Sequence, residues 1–318
     1  MQWGDGMTKQ NAMIQLMGKY KVVFALLLLI IVGSFISPFF LTANNLLNVL
    51  RQVSIVGIIS VGMTFVVLTG GIDLSVGPIL AFASIFVALL SGAPGIVAVV
   101  VALVVGFLVG SFNGFIVTRF SVHPFIVTLG MMSVLRGVGL TITRGSPVLG
   151  TPSSISWIGQ GRLFDVFPVQ ALILIIVTIL AYIILKYTPL GRYTYAIGGN
   201  AEASMLSGIS VKGYTTLVYG ISGLLAGLAG ILMATQLNIG AATIGDSMEL
   251  DAIAAVVIGG TSLKGGVGSV GGTIIGVLII GILSNLMNLA NVPGYSQNIV
   301  KGAIIVGAAV LQVVQNRK

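Results

Sequence analysis

The chain has 318 residues, 56% of them hydrophobic and only 7% charged, with 44 glycines, no cysteine and a formal net charge of +8. At a mean hydropathy of +1.12 a soluble globule lacks the polar side chains to cover itself, and intrinsic disorder fails on its need for low hydrophobicity. The 15 Lys and Arg are spread along the whole length, which leaves no basic face for a nucleic acid, and the missing cysteines exclude a disulfide framework and Cys-ligated metals.

What remains is an all-α polytopic membrane protein, because the apolar runs are continuous and do not alternate as in a β-barrel. A helical span needs about 20 apolar residues. The first predicted span covers 22–40, after Lys19 and Lys21. It is long and no small-residue cleavage site follows it, so it reads as a retained span behind a short polar tail, 1–18. Further spans are predicted at 52–70, 77–92, 96–118, 124–142, 169–186, 214–236, 250–263, 269–288 and 297–314, ten in all. The segment at 250–263 is short and fits a half-helix that enters the bilayer with help from its neighbours.

Ten crossings put Lys9, Lys19, Lys21, Arg119, Lys186, Arg192, Lys212, Lys264, Arg317 and Lys318 on one side, against Arg51, Arg144 and Arg162 on the other. Positive charge collects in the cytoplasm, so both termini are expected there. Nothing reads as a separate soluble domain, and 1–318 is taken as one transmembrane domain. Gly106, Gly110 and Gly114 recur four apart, as do Gly223 and Gly227, and Gly272 and Gly276. Such faces allow close helix contact, either static or sliding.

No G-x-x-x-x-G-K-[ST] loop and no G-x-S-x-G motif occurs, so the chain has no recognisable nucleotide site or nucleophile. The single histidine, His123, precedes Pro124 at a span edge and reads as a boundary residue. No catalytic, cofactor-binding or metal-binding residue is assigned.

Three polar segments carry information. In Thr69–Pro78 the glycines Gly70 and Gly71 can end one helix, and Asp73 or Ser75 can cap the next, with Gly77 and Pro78 in its first turn. Two readings fit: a well-made turn at the inner membrane edge, or a gate at a broken helix. The stretch Tyr195–Ile209 reads as a short capped helix, with Asn200 as N-cap, Glu202 at the positive start and Gly208 as the stop. It is too short and polar to span and needs something to hold it. The third, Gly245–Asp251, contains Asp246, Glu249 and Asp251 and lies on the outer side. It reads either as a solvated loop and helix cap, or as a docking point for an external partner or the mouth of a pathway.

Arg136 and Lys301 fall inside predicted spans, where a charge faces a cavity, finds a counter-charge or snorkels to the interface. Both are close enough to a span end for snorkelling, which is the expectation here. Ser284, Asn285, Asn288 and Gln297 form an amide-rich outer stretch. Such groups hold hydroxyl-rich solutes, and they also bond helix to helix.

Taken together, V-G-M-T-F-V-V-L-T-G-G-I-D-L-S-V-G at 61–77, L-G-R-Y-T-Y-A-I-G-G-N-A-E-A-S-M-L-S-G-I at 190–209 and E-L-D-A-I-A-A-V-V-I-G-G-T-S-L-K-G-G-V-G at 249–268 resemble the permease subunit of ribose-type ABC importers. These belong to the branched-chain amino acid and monosaccharide permease superfamily. The likeness runs from about residue 20 to 315 and includes L-R-G at 135–137, G-S-P at 145–147 and K-G-A at 301–303.

The resemblance implies a bacterial inner-membrane importer with two permease copies, or a copy and a close paralogue. It implies a separate cytoplasmic ATPase that binds ATP and Mg, and an extracytoplasmic sugar-binding protein. It also implies that Gly198, Asn200, Glu202, Ala203, Leu206, Ser207 and Gly208 form the segment that touches the ATPase. Ribose is the first expected substrate. A branched-chain amino acid permease of the same superfamily is the alternative. An ion-coupled secondary transporter is a further class, but it would show a buried carboxylate. Asp73 at a predicted edge and Asp165 in an outer loop do not supply one.

Overall fold

The computed structural model describes residues 9–315; residues 1–8 of the predicted tail, and Arg317 and Lys318, lie outside the described residues. The chain is mostly helical and builds a polytopic membrane protein. α1 (Lys9–Ile36), α2 (Ala43–Leu68), α3 (Val76–Leu89), α4 (Gly95–Phe120) and α5 (Pro124–Thr143) lead into a long loop. That loop holds β1 (Val148–Leu149), α6 (Ser156–Gln160), β2 (Arg162–Leu163) and β3 (Phe167–Pro168). α7 (Val169–Tyr187) then reaches the opposite face, which carries the short α8 (Pro189–Gly199) and α9 (Ala201–Leu206). α10 (Val211–Leu237), β4 (Ile239–Gly240), α11 (Met248–Ile258), α12 (Val270–Leu289) and α13 (Gly294–Gln315) complete the chain.

Among the described residues six helices, α2, α4, α5, α7, α10 and α12, are long and apolar enough to cross a membrane, and Val22–Ile36 and α3 are shorter apolar helices. Every predicted apolar segment holds a helix. α1 begins at Lys9, ahead of the predicted span, because Gln, Ala, Met and Leu continue the helix backward with no proline to stop it and only Gly18 to weaken it. α8 was not expected from the sequence. Thr188 caps it, accepting from the Gly191 N–H, and Pro189 occupies its first turn, the usual place for a proline in a helix.

α2 and α10 form the buried centre. α10 packs on α4, α3 and α2, and α2 packs on α12, α7 and α11. The glycine faces explain the closest of these contacts. A Cβ on Gly110 would stand 3.0 Å from Gly223 Cα, one on Gly114 2.7 Å from Thr216 Cα, and one on Gly227 2.7 Å from the Ala102 carbonyl oxygen. The two predicted faces, on α4 and on α10, therefore meet each other backbone to backbone. The opposite side of α4 exposes Ile96, Val100, Leu108, Phe112 and Phe115. In Gly110→Ala the backbones must part, at a cost of about 1–3 kcal/mol. Gly130, with open space around it, is the control. Thermal unfolding in detergent should show a lower midpoint for Gly110→Ala and no loss for Gly130→Ala; equal midpoints would mean the α4–α10 contact is not tight.

α2 and α11 end alike. Gly70 N–H donates to Val67 O and Gly71 N–H to Val66 O; Gly260 N–H donates to Val257 O and Thr261 N–H to Val256 O. Gly70 and Gly260 both have positive φ, +81° and +89°. This is the Schellman stop, which satisfies the last carbonyls and needs a left-handed residue. The stretches V-V-L-T-G-G at 66–71 and V-V-I-G-G-T at 256–261 are alike in sequence, and this shared helix terminator gives that likeness a local cause.

Candidate functional site

α3 starts deep inside the protein. Asp73 and Ser75 are fully buried, and Asp73 Oδ2 accepts from Ser222 Oγ at 3.1 Å. Ser222 is about 17 Å along α10 from its start, at the helical rise. The predicted turn at the membrane edge is therefore corrected. Gly70 and Gly71 do sit at the end of α2, but Ile72–Ser75 climbs back into the core, because Asp73 finds its donors there. Asp73 Oδ1 takes the Ser75 N–H at 3.0 Å and the Ser75 hydroxyl at 2.6 Å. Asn113 Nδ2 of α4 donates to Ser75 Oγ at 2.8 Å. One carboxylate so ties the link to α10, and through Ser75 to α4. The Ser75 side chain makes no capping bond to α3; its carbonyl accepts from the Ile79 N–H at 2.7 Å.

The Gly245–Asp251 stretch is also sunk. Glu249 and Asp251 are 7% and 8% exposed, which overturns the reading as a solvated loop; of the three acids only Asp246 is open to solvent. α11 is only 11 residues long, a half-helix as expected, and its first turn meets the first turn of α3. The Glu249 carboxylate abuts Gly77 closely enough to leave no room for a side chain there. Gly77 and Glu249, 172 positions apart by their numbering, thus belong to one place where two half-helices start. A helix N-terminus favours a carboxylate.

Arg136 and Lys301 do not snorkel. Arg136 donates to Asp246 Oδ1 at 3.0 Å and to the carbonyls of Ala242 and Ile244. Lys301 Nζ lies 2.8 Å from Asp251 Oδ2, and both side chains are largely buried. Each cation lies about 10 Å from its helix end. The descending 241–251 segment brings the anions to that depth, so pairing replaces a stretch to the interface.

On the opposite face, Asn200 Oδ1 accepts from the Ala203 N–H at 2.9 Å and Gly208 has φ +82°. The expected cap and stop are both present. Ser204 anchors the helix inward, while Glu202, Ala203, Leu206, Ser207 and Gly208 are exposed. Leu206 is 81% exposed, a large apolar side chain that this chain leaves uncovered. Gly198 differs from these: it ends α8 against the Leu68 carbonyl and the Gly266 backbone, so it is a packing residue.

A cavity of about 280 Å³ lies on the long-loop side between α2, α10 and α12. It is lined by Asn48, Arg51 and Gln52 of α2, Gln236 of α10, and Asn285 and Asn288 of α12. The predicted Asn285 and Asn288 are both in it. Asn285 exchanges two hydrogen bonds with Asn45, at 2.9 and 2.8 Å, and Asn288 Oδ1 accepts from Gln297 at 2.7 Å. Sequence reading missed the α2 contribution, although Asn45, Asn48 and Gln52 recur at helical spacing. It also missed Asn113 and Ser222, whose partners lie far away in sequence.

Replacing Asp73 by leucine should leave two hydroxyls and one N–H without an acceptor, costing about 3–5 kcal/mol for a broken buried charge network. Asp73→Asn keeps one acceptor oxygen and offers an NH2 to Ser222, whose hydroxyl can accept. Membrane abundance should collapse for the leucine variant and largely survive for the asparagine variant. Equal abundance of both would remove the network from the fold's supports.

A family model described as branched-chain amino acid transport system / permease component matches residues 45–309. The chain is 45% identical over 299 residues to the ribose import permease protein of Bacillus subtilis, covering 93% of this chain and 92% of that protein. It is 47% identical over 304 residues to the ribose import permease protein of Escherichia coli K12, covering 94% of each. The xylose transport system permease protein of Haemophilus influenzae is 33% identical and spans 88% of this chain and 91% of its own length. No solved structure matches at a significant level. With the family model covering 45–309 and near-full-length relatives above 40% identity, this chain belongs to the family of branched-chain amino acid transport system permease components.

Proposed function

We propose that this chain is the membrane-spanning permease subunit of an ATP-driven importer for a monosaccharide, ribose first. The observation that carries this reading is the 45–47% identity, over more than nine-tenths of both chains, to ribose import permeases of two distant bacteria. Sugar permeases also recur at lower identity, for xylose and for D-allose, which favours a sugar over a branched-chain amino acid.

In this reading the chain works in the bacterial inner membrane with ten crossings and both termini cytoplasmic. The α8–α9 face is then the cytoplasmic one. ATP and Mg are bound by a separate ATPase, which docks on the exposed side of α9. A second copy of the chain, or a close paralogue, completes the pathway, and an extracytoplasmic binding protein delivers the sugar. No nucleotide, metal or nucleic acid is bound by this chain.

The buried Asp73 gives an ion-coupled secondary transporter one feature that the sequence had denied it. Its three donors, however, all come from the protein, and the long relatives named above are ribose import permeases. The test is reconstitution with a partner ATPase and a sugar-binding protein, with a panel of monosaccharides and leucine. Ribose uptake should require ATP and persist when ion gradients are collapsed, and the permease alone should hydrolyse no ATP, since it lacks a phosphate-binding loop. Uptake driven by an ion gradient without ATP, or of leucine in place of sugars, would overturn the reading.

A further inference from the structure

We infer that the cavity between α2, α10 and α12 is a binding subsite for the transported sugar, entered from the long-loop face; this rests on the monosaccharide reading above. Its chemistry is that of a polyol site. Among the lining residues named above there are five amides and one guanidinium, all groups that pair with vicinal hydroxyls, and an amide offers donors and an acceptor side by side. Most of this capacity is uncommitted. Asn48, Arg51 and Gln52 have no hydrogen-bonding partner among the described residues. Gln236 spends its oxygen on Gln170 at 3.0 Å and Asn288 spends its oxygen on Gln297, which leaves both NH2 groups for a ligand.

The walls are stiff where they need to be. The reciprocal Asn45–Asn285 pair locks α2 to α12 at one side, and the Gln170 bond, which also reaches the Gly159 carbonyl at 2.6 Å, fixes Gln236. A volume of about 280 Å³ is at the small end of small-ligand pockets, which start near ~300 Å³, and suits one sugar ring. Of the whole lining only Leu289 is apolar, and the cavity has no aromatic face for a ring to stack on. Water competes for every bond such a site makes, so it binds weakly and releases its sugar easily, as a transport step requires. The amides also give it a preference among sugars that differ in hydroxyl configuration, adding to whatever selection occurs before delivery.

The full chain in nanodiscs, with D-ribose at millimolar concentration, tests this by saturation-transfer NMR. Wild type and the control Asn44→Leu, whose side chain is exposed beside the cavity and absent from its lining, should transfer saturation to ribose. The double variant Asn48→Leu/Gln52→Leu should show at least a fivefold weaker signal. Both replaced residues are exposed, so folding is retained. In proteoliposomes of the assembled importer, the double variant should raise the half-saturating load of sugar-charged binding protein or shift the ribose-to-xylose uptake ratio at least threefold. No transfer in wild type, or wild-type transfer and an unchanged ratio in the double variant, would overturn the subsite while ribose uptake by wild type keeps the function. An importer that accumulates no monosaccharide at all would overturn both.

Discussion

Ala203→Trp is expected to leave the permease at normal membrane levels while abolishing import and the retention of its ATPase. The side chain at 203 is exposed, on a helix of six residues that cannot be stable alone. What holds this helix within the chain is the Asn200 cap and the buried Ser204, whose hydroxyl donates to the Asn200 carbonyl at 2.8 Å. Neither is touched by the substitution. The outward side, with Ala203, Ser207 and the bare Leu206, is small-residue surface around one apolar knob. A partner groove shaped for an alanine cannot take an indole without parting from the surface, and overpacking of this kind costs about 1–3 kcal/mol or more. Glu202→Arg should act in the same direction and more weakly, by about 0.3–1 kcal/mol, because it places a cation at the positive helix start. Pull-down of the ATPase beside a membrane-abundance blot separates the outcomes. Full transport and normal pull-down by Ala203→Trp would show that α9 is not the coupling element.

Much of this architecture can be read from the sequence, and what could not be read has a common cause. Apolar runs locate helices because each must bury or face lipid along its length, and Asn200 and Gly208 announce a short helix through local chemistry alone. Depth is different. Hydropathy records that 76–89 and 248–258 are apolar, yet not that α3 and α11 both begin in the interior. That depends on Asp73 finding Ser222, 149 positions away, and on the 241–247 segment descending beside Arg136. The same ignorance made snorkelling the natural expectation for Arg136 and Lys301, since their anions lie 110 and 50 positions away. The amide cavity is a third case. Asn285 and Asn288 stand out in their own segment, while the matching amides of α2 look like an ordinary helix start until Asn45 and Asn285, 240 positions apart, are seen to touch.

Gly265→Val should give the complementary phenotype, an importer that keeps its ATPase and no longer moves sugar. Three stretches of backbone meet at the root of α9 with no side chain between them. Gly266 N–H donates to Leu68 O at 2.9 Å, and a Cβ on Gly265 would stand 2.8 Å from Gly70 N and 2.9 Å from Gly198 Cα. The Tyr195 hydroxyl, one turn back in α8, donates to the Gly268 carbonyl at 2.9 Å. The end of α2, the loop after α11 and the last turn before the Asn200 cap are thus one rigid junction. Backbone contact leaves no rotamer to absorb motion, so in the proposed importer a displacement of α9 by the ATPase would be passed into the two Schellman ends, and from α2 into the Asp73 link. Valine at 265 is wrong twice. Its φ of +86° is strained for a β-branched residue by about 1–2 kcal/mol, and its Cβ must push Gly70 and Gly198 apart. The exposed face of α9 is unchanged, so docking survives and ATP is hydrolysed without transport. Gly199→Ala, with open space at its Cβ position, is the control and should import normally. Coupled ATPase and uptake assays on the same proteoliposomes decide the matter: wild-type uptake per ATP in Gly265→Val would mean that the junction carries no motion.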